Sequence, residues 1–369
     1  MPTHWYTVTN VDEIPSPALL VYPDRVEENI RRMIAVAGGV GRLRPHMKTN
    51  KLPEVIRMHI EQGISKFKCA TVAESEMSAA AGAPDVLLAY QPVGPNVERF
   101  VQLVRTFPST TFSALVDDEG TIRALSNAAV RHGVTLNLFL DLDGGMHRTG
   151  VAPGPRAVEL YKLIASLPGL TAAGLHMYDG HIHDTDMGDR TRKSEEAFAH
   201  VRTVRDDLAK SGMTVPRVVA GGTPTFPLHA KRLDVECSPG TSVFWDWGYS
   251  ATLPDMDFLP AVLLLTRVIS KPGTNLLCLD LGHKAVASEN PPPRVQLLEL
   301  PDARQVGHSE EHLVLETDRA GEFEVGSTFY GMPWHICPTV ALHSDAVVVR
   351  NGRAEERWQV MGRARSITI

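Results

Sequence analysis

The chain has 369 residues, 43% of them hydrophobic and 22% charged, with a formal net charge of −6 and a pI of about 6.2. That is enough apolar material for one large domain and a smaller one, and scattered lysines and arginines on an acidic chain exclude the basic footprint of a nucleic-acid or anionic-membrane binder. No run of about 18 apolar residues is present to span a bilayer. The opening MPTHWYTVTN lacks a signal-peptide core, and the four cysteines, Cys69, Cys237, Cys278 and Cys337, form no CxxC pair, so a cytoplasmic protein with reduced thiols is expected.

The first element in chain order is a strand-like run, SPALLVY at 16–22. A helix is expected next in PDRVEENIRRMIAVAG, where Val26, Ile30, Met33, Ile34 and Ala37 share one face and Gly38-Gly39 supply a C-cap. Eight candidate strands follow at 43–47, 66–70, 86–90, 111–116, 135–141, 170–178, 217–220 and 233–237, most of them separated by helix-sized segments such as RTRKSEEAFAHVRTVRDDLAKSG from Arg190. Strand–helix alternation implies a parallel sheet, and eight units suggest an α/β fold built on a (β/α)8 TIM barrel, with an open doubly wound sheet as the structural alternative. After about Leu253 the texture changes to short strands with turns between them, AVLLLTRVIS, TNLLCLDLG, RVQLLEL, HLVLET and DAVVVRNGR, which read as a C-terminal antiparallel β domain. The leftover N-terminal strand can pair with it. The expected domains are therefore a barrel over 23–250 and a β domain made of 1–22 plus 251–369.

In such a barrel, chemistry gathers where strands end. Lys48 follows the first strand, DLDGGMHRTG the fifth, HMYDGHIHD the sixth, GGTPTF the seventh and SPGTSVF the eighth. Glycines let backbone N–H groups approach an anion and threonine hydroxyls add donors. Either glycine-rich loop alone reads as an ordinary tight turn. Both together, after the two strands that often make a phosphate site in this fold, point to a phosphate. A phosphate anchor opposite a strand-end lysine suggests pyridoxal phosphate, with Lys48 forming a Schiff base in its neutral state. Arg44 or Lys51 is expected to depress its pKa by like-charge repulsion. Of the competing lysines, Lys51 falls where a helix should start and Lys68 inside a strand.

RPHMKTNK, DGGMHRTG, GGTPTF, SPGTSVF and WHICPT together resemble the fold-type III pyridoxal-phosphate enzymes, and within them the D-threonine aldolase and D-serine dehydratase branch, over nearly the whole chain. The wider group includes alanine racemase and has an N-terminal barrel with a C-terminal β domain that takes the first strand. The resemblance implies that Lys48 is the Schiff-base lysine, that Arg148 contacts the cofactor ring and that Gly222, Thr223, Gly240 and Thr241 hold the phosphate. It also implies a homodimer. The family usually has KTHK where this chain has KTNK, and Asn50 can hydrogen-bond but cannot carry a proton.

HICPT separates this branch from the racemases. His335 and Cys337, two apart, would share a face of a strand, and imidazole plus thiolate suits zinc, with manganese second. A bare HxC is weak evidence, since a buried His and Cys without metal is the commoner case; the branch resemblance is what favours a divalent ion. Among the histidines 176, 181 and 183, His181 and His183 would share a strand face, and His183, then His181, is the expected general base. Each taken singly reads as a solvated loop imidazole. Tyr178 is expected to pack on the cofactor ring or donate to it. Glu236 and Asp246 flank the second glycine loop and can orient it, FWDWGY reads as core or dimer packing, Cys69 and Cys278 as inert, and His283 as a loop residue able to reach a partner subunit.

What the resemblance implies is a lyase for small D-3-hydroxy amino acids that uses pyridoxal phosphate and a divalent metal. A D-threonine aldolase, giving glycine and acetaldehyde, is favoured because the histidine cluster offers a base for the β-hydroxyl. A D-serine or D-threonine dehydratase uses the same parts with Lys48 removing the Cα proton. Further alternatives are a racemase, a cofactor-carrier protein and a barrel enzyme acting on a phosphorylated metabolite.

Overall fold

The computed structural model describes residues 4–369, which fall into two compact units, one of residues 4–30, 49–52 and 241–363 and the other of 31–48, 53–240 and 364–369. The chain begins with β1 (Ala18–Val21) and α1 (Pro23–Ala37), the latter ending on Gly38 and Gly39, both at positive φ. It continues through α2 (Pro53–Glu61), β2 (Lys66–Cys69), α3 (Val72–Ala80), β3 (Asp85–Leu88), α4 (Pro95–Thr106), β4 (Thr111–Val116), α5 (Glu119–His132), β5 (Leu136–Leu142), α6 (Pro155–Ser166), β6 (Leu170–Met177), α7 (Met187–Lys210), β7 (Val218–Ala220), α8 (Phe226–His229) and β8 (Val235–Cys237).

Strands β2 to β8 form one parallel sheet in sequential order. Helices separate the strands, so the central strands are covered on both faces: Phe112–Val116 and Leu138–Leu142 are buried without alternation and are apolar except for Ser113 and Asp141. Leu87, Leu115, Phe139, Ala173 and Val219, one from each of β3 to β7, pack into a single cluster. The sheet curls, because Lys68 on β2 reaches His176 on β6, four strands away, at 3.5 Å.

Segment 43–47, expected as a full strand, is not one. Pro45 has no N–H to give a ladder, and the segment makes only isolated parallel bridges, Leu43 to Cys237 and His46 to Lys68. Its remaining donors still reach both edges of the sheet: the Arg44 and His46 amides donate to the carbonyls of Cys237 and Pro239, and the Met47 amide to that of Lys68.

The Arg44 side chain, one of the two cations expected to act on Lys48, lies in a charge network of its own. It is fully buried, paired with both oxygens of Asp85 (2.7 and 3.2 Å) and with Glu236 (2.7 Å). Glu236 also accepts from Lys66 and Asp85 from Arg217. Glu236 thus serves this network rather than the loop it precedes.

The other unit contains α9 (Trp247–Thr252), β9 (Val262–Gly273), β10 (Leu276–Leu279), β11 (Val295–Leu297), β12 (Arg304–His308), β13 (Leu313–Glu316), β14 (Thr328–Pro333), α10 (Ile336–Leu342), β15 (Asp345–Arg350) and β16 (Arg353–Gln359). Its sheet is mostly antiparallel, and β1 lies within it, antiparallel to β9 and parallel to β15. The leftover N-terminal strand therefore joins the later strands, through a core of Leu20, Tyr22, Leu263, Leu265, Tyr330 and Val347. Strands β12 and β16 carry too many polar or charged residues, as in RQVGH and RAEERWQ, to announce themselves by alternation, and β14, TFYGMP, is buried without alternation and broken by Gly331 and Pro333.

Asp85→Ala is expected to cost about 3 kcal/mol, because it leaves part of a buried guanidinium unpaired; a urea midpoint measured against the parent chain checks this.

Candidate active site

At the strand ends of the parallel sheet, Lys48, Lys68, Asp141, Arg148, His176 and Tyr178 line one small cavity. The Tyr178 ring is its centre. Lys48 Nζ lies 5.5 Å from the ring centroid, Lys68 Nζ 5.8 Å and Arg148 Cζ 5.0 Å, all within cation–π range. The ring has room only because two neighbours lack side chains: a Cβ on Gly180 would stand 2.3 Å from the ring, and one on Gly222 would stand 2.9 Å from it.

Behind the ring lies a hydrogen-bonded chain. Asp141 on β5 and His176 on β6 are direct partners in the sheet register, and Asp141 Oδ1 meets His176 Nδ1 at 2.7 Å. Thr149, next to Arg148, donates to the other carboxylate oxygen at 3.0 Å. Burial holds the imidazole's pKa below the ordinary histidine value, against the pull of Asp141. Lys68, fully buried, is pushed down to about 7, first by burial and then by Lys48.

The glycine loops are tied down independently. Asp179 accepts from Thr225 Oγ1 at 2.8 Å and pairs with His229 Nε2 at 2.7 Å, all three side chains being buried. Gly221 (φ +81) sits against His229, where a Cβ would come within 2.4 Å. The Gly240 amide donates to Thr223 Oγ1 at 3.0 Å, linking the two loops. Ser238 and Ser242, on either side of Gly240 and Thr241, have buried hydroxyls with no hydrogen-bond partner among the described residues. Buried polar groups of this kind ordinarily have one. Orphan hydroxyls, a side-chain-free cradle against an aromatic ring and a lysine beside it fit a phosphate-bearing aromatic aldehyde.

His181 and His183 are not on a strand. β6 ends at Met177, and both imidazoles are exposed in the loop that follows. Lys51 adopts a left-handed backbone (φ 55), and its Nζ donates to the Gly362 carbonyl at 3.4 Å.

His335 and Cys337 are not on a strand either. Pro333 closes β14, and His335 is the N-cap of α10, with Pro338 in the first turn where no N–H is needed. The two side chains still converge. Burial alone would lower the pKa of His335, but the hydrogen bonds it donates to Cys337 and Glu289, with the negative charge of those groups, outweigh it and raise it to about 9. Glu289 meets His335 Nδ1 at 2.5 Å, which leaves Nε2 as the nitrogen able to bind a metal. Thr49 Oγ1 lies 3.1 Å from Cys337 Sγ. Asp246, expected only to flank a loop, caps α9 through the Tyr249 amide and also accepts from the Ile336 amide at 3.1 Å. Burial raises its carboxyl to about 6. Among the described residues no group of three His, Cys, Asp or Glu side chains is arranged to hold an ion, so this pair offers two ligands of suitable type. His283 packs its ring against His308, and Cys69 and Cys278 are buried free thiols.

Residues 21–246 match the model of the alanine racemase N-terminal domain and residues 261–349 that of a putative serine dehydratase domain. The chain belongs to the fold-type III pyridoxal-phosphate enzymes. It is 32% identical to the 3-hydroxy-D-aspartate aldolase of Paracoccus denitrificans (strain Pd 1222), over 96% of this chain and 93% of that one. Against the D-threonine aldolase of an Arthrobacter species the figures are 28%, 95% and 93%. The crystal structure of D-threonine aldolase from Filomicrobium marinum superposes with a TM-score of 0.88 at 27% identity, covering 98% of this chain and 99% of that one. Within the pyridoxal-phosphate family the chain stands with the lyases.

Gly222→Ala would drive a methyl group into the Tyr178 ring. Pyridoxal phosphate affinity is expected to fall roughly tenfold to a hundredfold, measured as visible absorbance retained after dialysis.

Proposed function

We propose that this chain is a pyridoxal-phosphate- and divalent-metal-dependent lyase acting on D-3-hydroxy amino acids, an aldolase that splits the Cα–Cβ bond to release glycine and an aldehyde, with D-threonine as the reference substrate. The observation that carries the reading is the placement of Lys48 beside Tyr178 and Arg148 in one cavity. The names of the similar aldolases support the substrate class.

Bound pyridoxal phosphate would supply an electron sink for the pair released when a bond to Cα breaks. This chain's own groups have separate tasks. Lys48 provides the amine that attaches the cofactor. Tyr178 offers a flat apolar face that excludes water from one side, and Arg148 adds positive charge beside it. Gly222, Thr223, Gly240 and Thr241 would hold the phosphate, with the free hydroxyls of Ser238 and Ser242 as further donors. His335 and Cys337 would hold a divalent ion, zinc or manganese, whose chemistry would be Lewis-acid polarisation of the substrate hydroxyl. His183, with His181 second, is the proposed acceptor of the hydroxyl proton; its exposure lets it return that proton to water. We also read segment 43–47, which hydrogen-bonds to both edges of the parallel sheet, as the eighth strand of a (β/α)8 barrel.

The second reading, a dehydratase, is favoured by the match of 261–349 to a putative serine dehydratase domain. Incubation with D-threonine separates the two. Glycine plus acetaldehyde is expected; 2-oxobutanoate plus ammonia would establish the dehydratase, and epimerisation alone would overturn the lyase assignment. Lys48→Ala should abolish the borohydride-trapped adduct and lower turnover by about a thousandfold or more. A chelator should remove activity, restored by zinc or manganese, while leaving that adduct in place.

A further inference from the structure

Three hydrogen-bonding groups meet the sulfur of Cys337. They are the His335 imidazole, Thr49 Oγ1 at 3.1 Å and Thr241 Oγ1 at 3.6 Å. Two of them already have tasks: His335 is the other proposed metal ligand, and Thr241 belongs to the glycine loop proposed to hold the phosphate. Thr49, the residue directly after Lys48, has no task in that chemistry.

The short segment that carries Thr49 is built into the antiparallel unit. Residues 49–52 fall with 241–363. The Gly362 amide donates to the Lys51 carbonyl at 3.0 Å, and Lys51 Nζ donates to the Gly362 carbonyl at 3.4 Å. The Asn50 side chain accepts from the Leu52 amide at 3.1 Å. Thr49 itself is fully buried, and a buried hydroxyl needs a partner. Packing alone does not call for threonine here, since valine fills the same space and leaves no polar atom to satisfy. The partner present is a sulfur, which is a weak acceptor while it carries a proton. A cysteine that binds a metal has lost that proton, and its negative sulfur accepts a stronger bond. The hydroxyl is then the donor.

We propose that Thr49 is a positioning residue of the metal centre, its hydroxyl donating to Cys337 Sγ and holding the sulfur in place for the divalent ion. The inference rests on the reading of His335 and Cys337 as the metal ligands. Thr49 then does for the sulfur what Glu289 does for the His335 imidazole, so that each ligand has an outer partner fixing its direction. Two protein ligands give an ion few contacts, and a side chain that must be ordered on binding lowers the affinity. Holding the sulfur beforehand removes that loss. The hydroxyl touches neither substrate nor cofactor in this role and acts through Cys337.

The test uses the full chain loaded with pyridoxal phosphate and stripped of metal. It is titrated with zinc against a chromogenic chelator, and with cobalt(II), whose thiolate charge-transfer band reports a bond to sulfur. The parent chain is expected to show that band. Thr49→Val should weaken zinc binding about tenfold to a hundredfold, while the urea midpoint and the borohydride-trapped adduct on Lys48 stay as in the parent. Thr49→Ser, which keeps the hydroxyl, should recover most of the affinity. Zinc binding in Thr49→Val equal to the parent's would overturn the proposal. Loss of the Lys48 adduct alongside the metal would also overturn it, by placing Thr49 in cofactor binding instead. A zinc-loaded structure of the parent chain with Thr49 Oγ1 out of hydrogen-bond reach of Cys337 Sγ would do the same, and it needs no variant to fold. Absence of the cobalt band in the parent would overturn the reading of Cys337 as a ligand and the inference with it. A parent band beside an unchanged Thr49→Val would sink the inference alone.

Discussion

The ring of Tyr178 can lie where it does only because residues 180 and 222 have no side chain. A single Cβ at either position would meet the ring well inside van der Waals contact. The cations of the cavity are arranged around that ring: the Lys48 amine, the Arg148 guanidinium and the buried Lys68 amine approach it, while the glycine loop that supplies residue 222 packs against it. A smaller side chain would widen the cavity and remove the face that gathers the cations. A bulkier residue at 222 would move the ring and unseat the loop.

The second constraint is curvature. In a flat sheet β2 and β6 would be separated by three strands, each about 4.8 Å from the next, and Lys68 could not touch His176. Curling the sheet turns residues that are remote in register into neighbours, and it places charged groups where water is scarce. The chain manages that cost in two ways. In the Arg44 network, full charge is matched by two carboxylates in bidentate and single contacts. Near Tyr178, by contrast, an imidazole stands between Lys68 and Asp141, and positive charge is left in excess. The first arrangement is that of a structural support. The second leaves positive charge available, as expected of a site that binds an anionic ligand.

The antiparallel unit works by different means. His335 and Cys337 are brought together by a helix start, not by strand pleating. Asp246 anchors that start through the Ile336 amide, and Glu289 orients the imidazole from the outside. A carboxylate behind a histidine is the usual way of fixing which ring nitrogen faces a ligand.

Much of this was legible in the amino-acid order. Largely apolar runs at regular spacing announced the parallel strands, because strands buried on both faces are mostly apolar and give up that pattern only where a polar side chain such as Lys68, Asp141 or His176 has a partner across the sheet. Gly38-Gly39, the two glycine-rich loops and the strand-end position of Lys48 could be read because backbone conformation and chain order are local properties. Other features were not local. Pro45 thinned an expected strand to two bridges. HIC lay at a helix N-terminus because Pro338 is harmless in a first turn. Arg44 turned to Asp85 and Glu236, partners 41 and 192 residues away. Lys68, set aside as a strand residue, became part of the cavity wall, and Asp141 joined His176 across a strand register that sequence spacing does not encode. Composition and pattern determined the elements and which residue types stand at their ends. Only the tertiary structure decided which charges meet, because that depends on the curl of the sheet and on where burial leaves a side chain no partner but the one across the core.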